Sequence, residues 1–229
     1  MEQALQLLEM QVRHGVNKIV FTPHFHFEEQ TPEHFFEQRE LAYQKLMLSS
    51  KKREIQFEAK LGAEVYFSIR LSKYDLSKFC IEKTNYLLIE FSPMYHYVAL
   101  IEKVMFDLLS SGIVPIIAHI ERYPFLMENP ALLSEWVSQG VIVQVNANSL
   151  KRTKKTRKKI VKLLEWGLVH VVASDTHSVD LRPPNIWTGL ESIEKYQNQL
   201  IEHAEKIFQG ENLQKASPYM PHKRFGMWM

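Results

Sequence analysis

Short apolar runs, each followed closely by a histidine or a carboxylate, recur along the chain and predict buried β-strands. The clearest run extends from Val114 to His119, and Glu121 and Arg122 follow it. A run that short and that apolar is typical of a strand buried on both faces of a sheet. Comparable runs predict further strands or extended segments at Lys18–Thr22, Phe57–Phe67, Tyr86–Phe91, Val141–Val145 and Val169–Ser174.

Segments with apolar residues at helical spacing lie between these runs, and several end at a glycine, a natural helix stop. The predicted helices are Gln3–His14, Glu33–Leu48, Val98–Ser110, Pro130–Gln139, Lys154–Trp166 and Ile186–Phe208, the last either continuous or broken. Alternation of strand and helix predicts an α/β fold, either a parallel sheet or a (β/α) barrel, in one domain spanning residues 1–229. Residues from about 210 onward read as a C-terminal tail.

The composition argues against several classes of protein. With 28 basic and 26 acidic side chains, the net charge of +2 gives no general nucleic-acid signal. Cys80 is the single cysteine, which excludes an intrachain disulfide and fits a reducing compartment. No apolar run approaches the ~20 residues of a membrane span, and the acidic N-terminus lacks the pattern of a signal peptide. We therefore expect a cytoplasmic protein.

Polar side chains at the carboxyl ends of the predicted strands are candidates for a metal site, because parallel strands present those ends at one edge. Imidazole and carboxylate ligands without cysteine suit Zn, Mn or Fe. Buried carboxylates are costly unless they are paired or bind metal, and several bridging carboxylates suit a multi-ion site that hydrolyses phosphate esters. The candidates are His24, Glu64, Glu90, His119, Asp175 and His177.

Asp175 and His177 would share one face if the last strand extended through them. Arg122 and Arg182 are candidates for phosphate binding, because a planar guanidinium matches phosphate oxygens. Arg182 alone would more often be a surface turn residue, since two prolines follow it. His26 either faces the same way as His24 or lies on the surface of a loop.

A dense basic run lies between residues 151 and 159, where seven of nine side chains are Lys or Arg. Such a run is usually a solvated helix face. The functional alternative is docking of an acidic partner segment or of an anionic membrane surface.

Together these motifs resemble the bacterial tyrosine-protein phosphatases of capsule and exopolysaccharide operons, within the polymerase and histidinol phosphatase superfamily. The matching stretches follow the family's order over nearly the whole chain: Phe-Thr-Pro-His at 21–24, Leu-Gly-Ala-Glu at 61–64, Leu-Leu-Ile-Glu-Phe at 87–91, Pro-Ile-Ile-Ala-His-Ile-Glu-Arg at 115–122, Ala-Ser-Asp-Thr-His at 173–177 and Arg-Pro-Pro at 182–184.

The resemblance implies a distorted (β/α)7 barrel with up to three metal ions, commonly Mn or Fe. It implies hydrolysis of phosphotyrosine on the tail of an autophosphorylating tyrosine kinase that controls polysaccharide export. Arg122 and Arg182 would hold the phosphate, and Cys80 would have no catalytic role. The metal ligands implied by the family are His24, Glu64, Glu90, His119, Asp175 and His177.

One departure from the family changes these expectations. The family opens with a strand carrying Asp-x-His-x-His and a loop with Asp-Asp-Gly, and this chain begins in the helix that follows them. The resemblance therefore implies a barrel without its first strand and with two ligands fewer, from a late start or a truncated form. Two alternatives stay open: a phosphoesterase acting on a small molecule such as histidinol phosphate, and a non-catalytic module that binds the kinase tail.

Overall fold

The computed structural model describes residues 1–92, 97–213, 217–224 and 227–229. Its strands are short, and most begin at the apolar runs that the sequence predicted. They are β1 (Lys18–Phe21), β2 (His24–Phe25), β3 (Glu58–Leu61), β4 (Glu64–Tyr66), β5 (Tyr86–Glu90), β6 (Val114–Ile117), β7 (Ile142–Asn146), β8 (Val171–Ala173), β9 (Lys223–Arg224) and β10 (Met227–Trp228).

Helices connect the strands and begin and end where the local sequence favours it. Thr31 caps the second helix through its hydroxyl, which accepts from the His34 amide at 3.3 Å, and Pro32 occupies the first turn. Gly140 ends the fifth helix in the left-handed region. The helices are α1 (Glu2–Arg13), α2 (Pro32–Lys52), α3 (Val98–Ser110), α4 (Pro124–Met127), α5 (Pro130–Gln139), α6 (Ser149–Arg152), α7 (Lys154–Glu165), α8 (Ile186–Leu190) and α9 (Glu194–Gln209).

Strands β1 to β8 run parallel and follow one another in chain order. One sheet has the strand order β2-β4-β5-β6-β7-β8. The pair β1 and β3 precedes β2 and β4 along the same two chain segments. The two ends of the series approach each other, because the ring of His24 on β2 lies 5.8 Å from the ring of His177 beyond β8. Among the described residues β8 forms no ladder with β1 or β2. This is the distorted barrel that the sequence predicted, with six strand positions and one open seam.

Helix α1 lies beside that seam. Its buried Gln11 donates through Nε2 to Ser174 Oγ at 3.4 Å and to Thr176 Oγ1 at 3.3 Å, both just beyond β8. The Trp187 indole, on α8, donates to the carbonyl of His14 at 2.5 Å. The first helix is therefore tied to the segment that follows the last parallel strand.

The predicted strand Lys18–Thr22 is followed by a second short strand, and the extended segment predicted at Phe57–Phe67 is interrupted. Pro23 separates β1 from β2 because it has no N–H to donate to a ladder, while its carbonyl accepts from the Glu64 amide at 3.1 Å. Gly62 and Ala63 separate β3 from β4. The last predicted helix is broken by a 3-10 turn at Glu191–Ile193, and the predicted tail contains the antiparallel pair β9 and β10.

The core lies between the parallel strands and the helices on their outer side. Met105 of α3, Trp136 of α5 and Leu163 of α7 join Ile89 and Val143 of the strands in one buried cluster. In the described part of the chain, no helix combines the length and the apolarity that a bilayer crossing requires.

Candidate metal centre

Four neighbouring strands bring His24, Glu64, Glu90 and His119 together: the first two open β2 and β4, just beyond the ends of β1 and β3, Glu90 ends β5, and His119 follows β6. One potential ligand atom from each of His24, Glu64 and Glu90 lies within 4.8 Å of the others. His119 Nε2 is 2.8 Å from Glu64 Oε1 and 3.4 Å from Glu90 Oε1. His24 Nδ1 is 3.4 Å from Glu90 Oε2 and 3.8 Å from Glu64 Oε2. Four of the six predicted ligands therefore face one another across a space that a cation can bridge.

The remaining predicted residues gather around Asp175. Its Oδ2 atom accepts from Arg122 Nη2 at 2.7 Å and from Arg182 Nη1 at 3.0 Å. His177 Nδ1 lies 3.3 Å from Asp175 Oδ1. Arg122 joins this group to the first one, because its Nη1 atom is 3.8 Å from Glu90 Oε1. All eight residues predicted to bind metal or phosphate border one site, and these roles stay a prediction.

The last parallel strand does not extend through Asp175 and His177, so the two residues do not share a strand face. β8 ends at Ala173, and Asp175 has a left-handed backbone with φ 49°. His177 instead folds back, with Nδ1 at 2.9 Å from the Asp175 carbonyl oxygen. His119 is also left-handed, with φ 33° and ψ 58°. Such backbones are uncommon for residues other than glycine.

Two amide side chains on β7, which the sequence analysis missed, connect His119 to Asp175. Gln144 Oε1 accepts from the His119 backbone N–H at 2.6 Å, and Gln144 Nε2 donates to Asn146 Oδ1 at 2.8 Å. Asn146 Nδ2 donates in turn to Asp175 Oδ2 at 2.7 Å. Two amides two residues apart on a buried strand share a face, and that spacing was the signal available in the sequence.

Tyr123 is the second support that sequence reasoning missed. Its hydroxyl lies 2.9 Å from His119 Nδ1 and accepts from the Phe91 amide at 3.1 Å. The side chain is 1% exposed, and burial raises the pKa of its hydroxyl far above the ordinary value. The neutral hydroxyl fixes the orientation of the His119 ring and directs Nε2 towards the two glutamates. Partners of this kind are what metal-binding histidines usually have on their second nitrogen.

The electrostatics of the cluster favour bound positive charge. Burial opposes the charged form of His119, but its hydrogen bonds with Glu64 and Glu90 raise the pKa to about 9. Burial likewise opposes ionisation of Glu90, while hydrogen bonds with His119 and His24 hold its pKa well below the usual range. The hydrogen bond with Glu90 also raises the pKa of His24. Protons on the imidazoles thus balance the negative charge of the two glutamates, and a metal cation can supply that positive charge in their place.

Two other reactive side chains, Cys80 and His26, lie outside this cluster. Burial raises the pKa of Cys80 to about 11, so the thiolate needed for nucleophilic attack is scarce at neutral pH. His26 stacks on Tyr66, with ring centroids 4.5 Å apart, and lies 3.8 Å from Glu29. His26 therefore contacts Tyr66 and Glu29 and not the predicted ligands, which favours the second of its two alternatives.

Comparison with known proteins gives a consistent result. Residues 1–215 match the family model described as capsular polysaccharide synthesis, CpsB/CapC. The tyrosine-protein phosphatase CpsB of Streptococcus pneumoniae is 33% identical over 211 residues, covering 85% of this chain and 82% of that protein. The tyrosine-protein phosphatase YwqE of Bacillus subtilis is 29% identical over 239 residues, covering 98% and 92%.

A solved structure, described as one of YwqE and CpsB, "unique metal-dependent tyrosine phosphatases", matches the fold with a TM-score of 0.84. The identity is 30%, and the match covers 97% of this chain and 92% of that one. The family resemblance predicted from the strand-end motifs is therefore confirmed. The chain belongs to the CpsB/CapC family of capsular polysaccharide synthesis proteins.

Proposed function

We propose that this chain is a metal-dependent protein-tyrosine phosphatase. Its substrate is phosphotyrosine on a bacterial tyrosine kinase that regulates capsule or exopolysaccharide synthesis, and it acts in the cytoplasm. The observation that carries the proposal is the convergence of His24, Glu64, Glu90 and His119 beside two arginines that share one carboxylate. The named activity of the CpsB and YwqE relatives supports the same conclusion.

The donor set fits a transition-metal ion. Two imidazoles and two carboxylates meet in one cluster, and the side chains of Glu64 and Glu90 are only 7% and 19% exposed. Ligands of this type suit Mn, Fe or Zn, and the absence of thiolate disfavours softer ions. We assign His24, Glu64, Glu90 and His119 to this cluster, with Mn as the expected ion. Asp175 and His177 would complete the ligand set, and the His177 ring lies 5.8 Å from the His24 ring.

The two arginines are arranged to hold a phosphate. Each guanidinium has five N–H donors in a planar fork, and one donor from each reaches Asp175 Oδ2. Most of the remaining donors stay available at the mouth of the site, where the Arg122 and Arg182 side chains are 40% and 38% exposed. Asp175 therefore sets the angle between two forks that can grip the same phosphoryl group.

Bound ions would supply the positive charge that stabilises phosphoryl transfer to water. His119, fixed by Tyr123 and by the Gln144 amide, keeps its ring aimed at the two glutamates throughout. The departing phenol has an ordinary pKa near 10, so it leaves as phenolate more readily than an aliphatic alcohol would. Cys80 has no part in this reaction, because it is buried and protonated.

The test is phosphate release from a phosphotyrosine peptide by purified protein, with and without added Mn, together with its metal content. We expect His119→Ala and Asp175→Ala to abolish metal-dependent release and Arg182→Ala mainly to raise KM. The control His34→Ala changes an exposed histidine on α2 and should leave the rate unaltered. A wild-type rate in either of the first two variants refutes the assignment.

The same assay separates the alternatives. Turnover of histidinol phosphate but not of the peptide would make this chain a small-molecule phosphoesterase. Peptide binding without phosphate release, even with Mn, would make it a non-catalytic module that binds the kinase tail.

A further inference from the structure

The basic segment, residues 151–159, lies next to the candidate site. It spans the end of α6 and the start of α7, which directly follow the carboxyl end of β7. Asn146, the last residue of β7, contacts Asp175 at 2.7 Å. Lys151 is five residues further along the chain, so its Cα lies at most about 18 Å from that of Asn146. The positive charge is therefore on the same edge of the barrel as the site.

Most of this charge has no carboxylate partner among the residues that the structure describes. Lys159 approaches Glu128 at 3.9 Å, and Arg157 donates to the Ser192 carbonyl at 2.6 Å. The other five cations are exposed and form no ion pair with any carboxylate in the described ranges: Lys151, Arg152, Lys154, Lys155 and Lys158. Lys154 and Lys155 also lie in the first turn of α7, where cations oppose the helix dipole. The stability of the fold therefore does not explain why so many cations lie together here.

The basic segment is fixed relative to the site. Ser149 Oγ donates to Glu121 Oε1 at 2.7 Å, and the Asn146 amide donates to the same carboxylate at 3.2 Å. Glu121 immediately precedes Arg122, one of the two proposed phosphate ligands. Leu150 is 1% exposed and anchors α6 in the core. The cations therefore stand at a set distance from the place where a phosphate would bind.

We propose that the basic segment is a docking site for acidic side chains that flank the phosphotyrosine of the protein substrate. This inference rests on the proposed phosphatase function and specifies its substrate class. An extended peptide advances about 3.3 Å per residue, so an acidic residue facing Lys151 would lie within roughly six positions of the phosphotyrosine. Complementary charge of this kind acts mainly by raising the rate of encounter, and a faster encounter with unchanged dissociation also tightens equilibrium binding.

A peptide suits this surface better than a membrane does. An interfacial helix needs exposed apolar side chains beside its cations, whereas residues 151–159 contain none. The apolar residues that flank the segment, Leu150 and Ile160, are buried. A bilayer lying on the basic segment would also cover the mouth of the neighbouring site.

The experiment compares three substrates at low ionic strength: p-nitrophenyl phosphate, a phosphotyrosine peptide with flanking Asp and Glu, and the same peptide with Asn and Gln. Wild-type kcat/KM should be about tenfold higher for the acidic peptide than for the neutral one, and the difference should shrink with salt. The variant is Lys154→Gln with Lys155→Gln and Lys158→Gln. Its control is Lys45→Gln with Lys51→Gln and Lys52→Gln, which removes the same charge from exposed positions on α2.

We expect the first variant to lose the preference for the acidic peptide while hydrolysing p-nitrophenyl phosphate at the wild-type rate. The control variant should keep the preference. Equal kcat/KM for the two peptides in the wild type, or equal losses in the two variants, overturns the docking site. Loss of binding to phosphatidylserine vesicles with the peptide preference intact overturns it in favour of a membrane.

Fluorescence anisotropy with a labelled acidic phosphopeptide separates this inference from the proposed function. If wild-type protein hydrolyses none of the substrates, the phosphatase proposal fails by itself. Tighter binding of the acidic peptide to wild type than to the first variant would still support the docking site, and equal binding would overturn it.

Discussion

The hydroxyl oxygen of Tyr123 offers a direct test of how the candidate metal centre is held. Tyr123→Phe keeps the ring, which packs against Phe91 with centroids 5.4 Å apart. The substitution removes the contact with His119 Nδ1 at 2.9 Å and the hydrogen bond from the Phe91 amide at 3.1 Å. The imidazole then loses the partner that orients its metal-facing nitrogen.

The expected effect has two separable parts. Removing the partner of a metal-bound histidine typically weakens metal affinity about 10- to 100-fold, equivalent to roughly 1.4–2.8 kcal/mol. Loss of the Phe91 hydrogen bond costs about 1 kcal/mol of folding free energy. For a chain of this size, that corresponds to a fall in Tm of about 2–4 °C.

A matched variant distinguishes metal support from general stability. Tyr86 is equally buried at the start of β5, and its hydroxyl donates to the Glu211 carbonyl at 2.7 Å and accepts from the Leu213 amide at 3.2 Å. Tyr86→Phe should lower Tm by a similar amount but leave metal affinity unchanged. The assay is calorimetric titration of metal-stripped protein with Mn. Wild-type affinity in Tyr123→Phe, or an equal loss in Tyr86→Phe, would refute the reasoning.

Three further predictions concern the rest of the fold. Burial lowers the pKa of His170 to about 4 from 6.5, so the unfolded chain takes up a proton first as the pH falls. Stability should therefore drop by about 3 kcal/mol between roughly pH 6.5 and 4, and His170→Asn should flatten that slope in urea unfolding. Gly189→Ala places a methyl 2.6 Å from Ala147 Cβ and 2.9 Å from its carbonyl oxygen; calorimetry should show a loss of about 1–3 kcal/mol, whereas Gly62→Ala should cost less. Cys80→Ala should leave phosphate release unchanged, and a dead but folded variant would contradict the absence of a cysteine nucleophile.

The sequence was most informative where chemistry coincides with strand ends. A parallel sheet gathers its carboxyl ends, so the predicted strands were enough to bring His24, Glu90 and His119 together. Glu64 lay inside the predicted segment Phe57–Phe67, and its place beside them follows from the break at Gly62 and Ala63. No side-chain contact had to be known in advance. The same argument placed Arg122 close by, since it follows His119 by three residues.

What the sequence could not predict depends on single backbone angles and on contacts across the barrel. The early end of β8 and the left-handed backbone of Asp175 are set by tertiary contacts, and the apolar run before it gives no sign of them. Tyr123 becomes a support for His119 only because the chain turns sharply between them. Neither the interruption at Gly62 nor the strand pair in the tail had a distinct signal in the pattern of apolar positions.

The site is held by a strand that contributes none of the predicted ligands. His119 and Asp175 both have left-handed backbones, and each such conformation costs about 1–3 kcal/mol unless its surroundings enforce it. Gln144 holds the amide of His119, and Asn146 holds the carboxylate of Asp175, while a hydrogen bond joins the two amides to each other. The strained backbones therefore belong to two of the predicted ligands, and the hydrogen bonds from the buried polar side chains of β7 offset the cost. Because α6 follows that same strand, the geometry of the site and the position of the basic segment depend on one element.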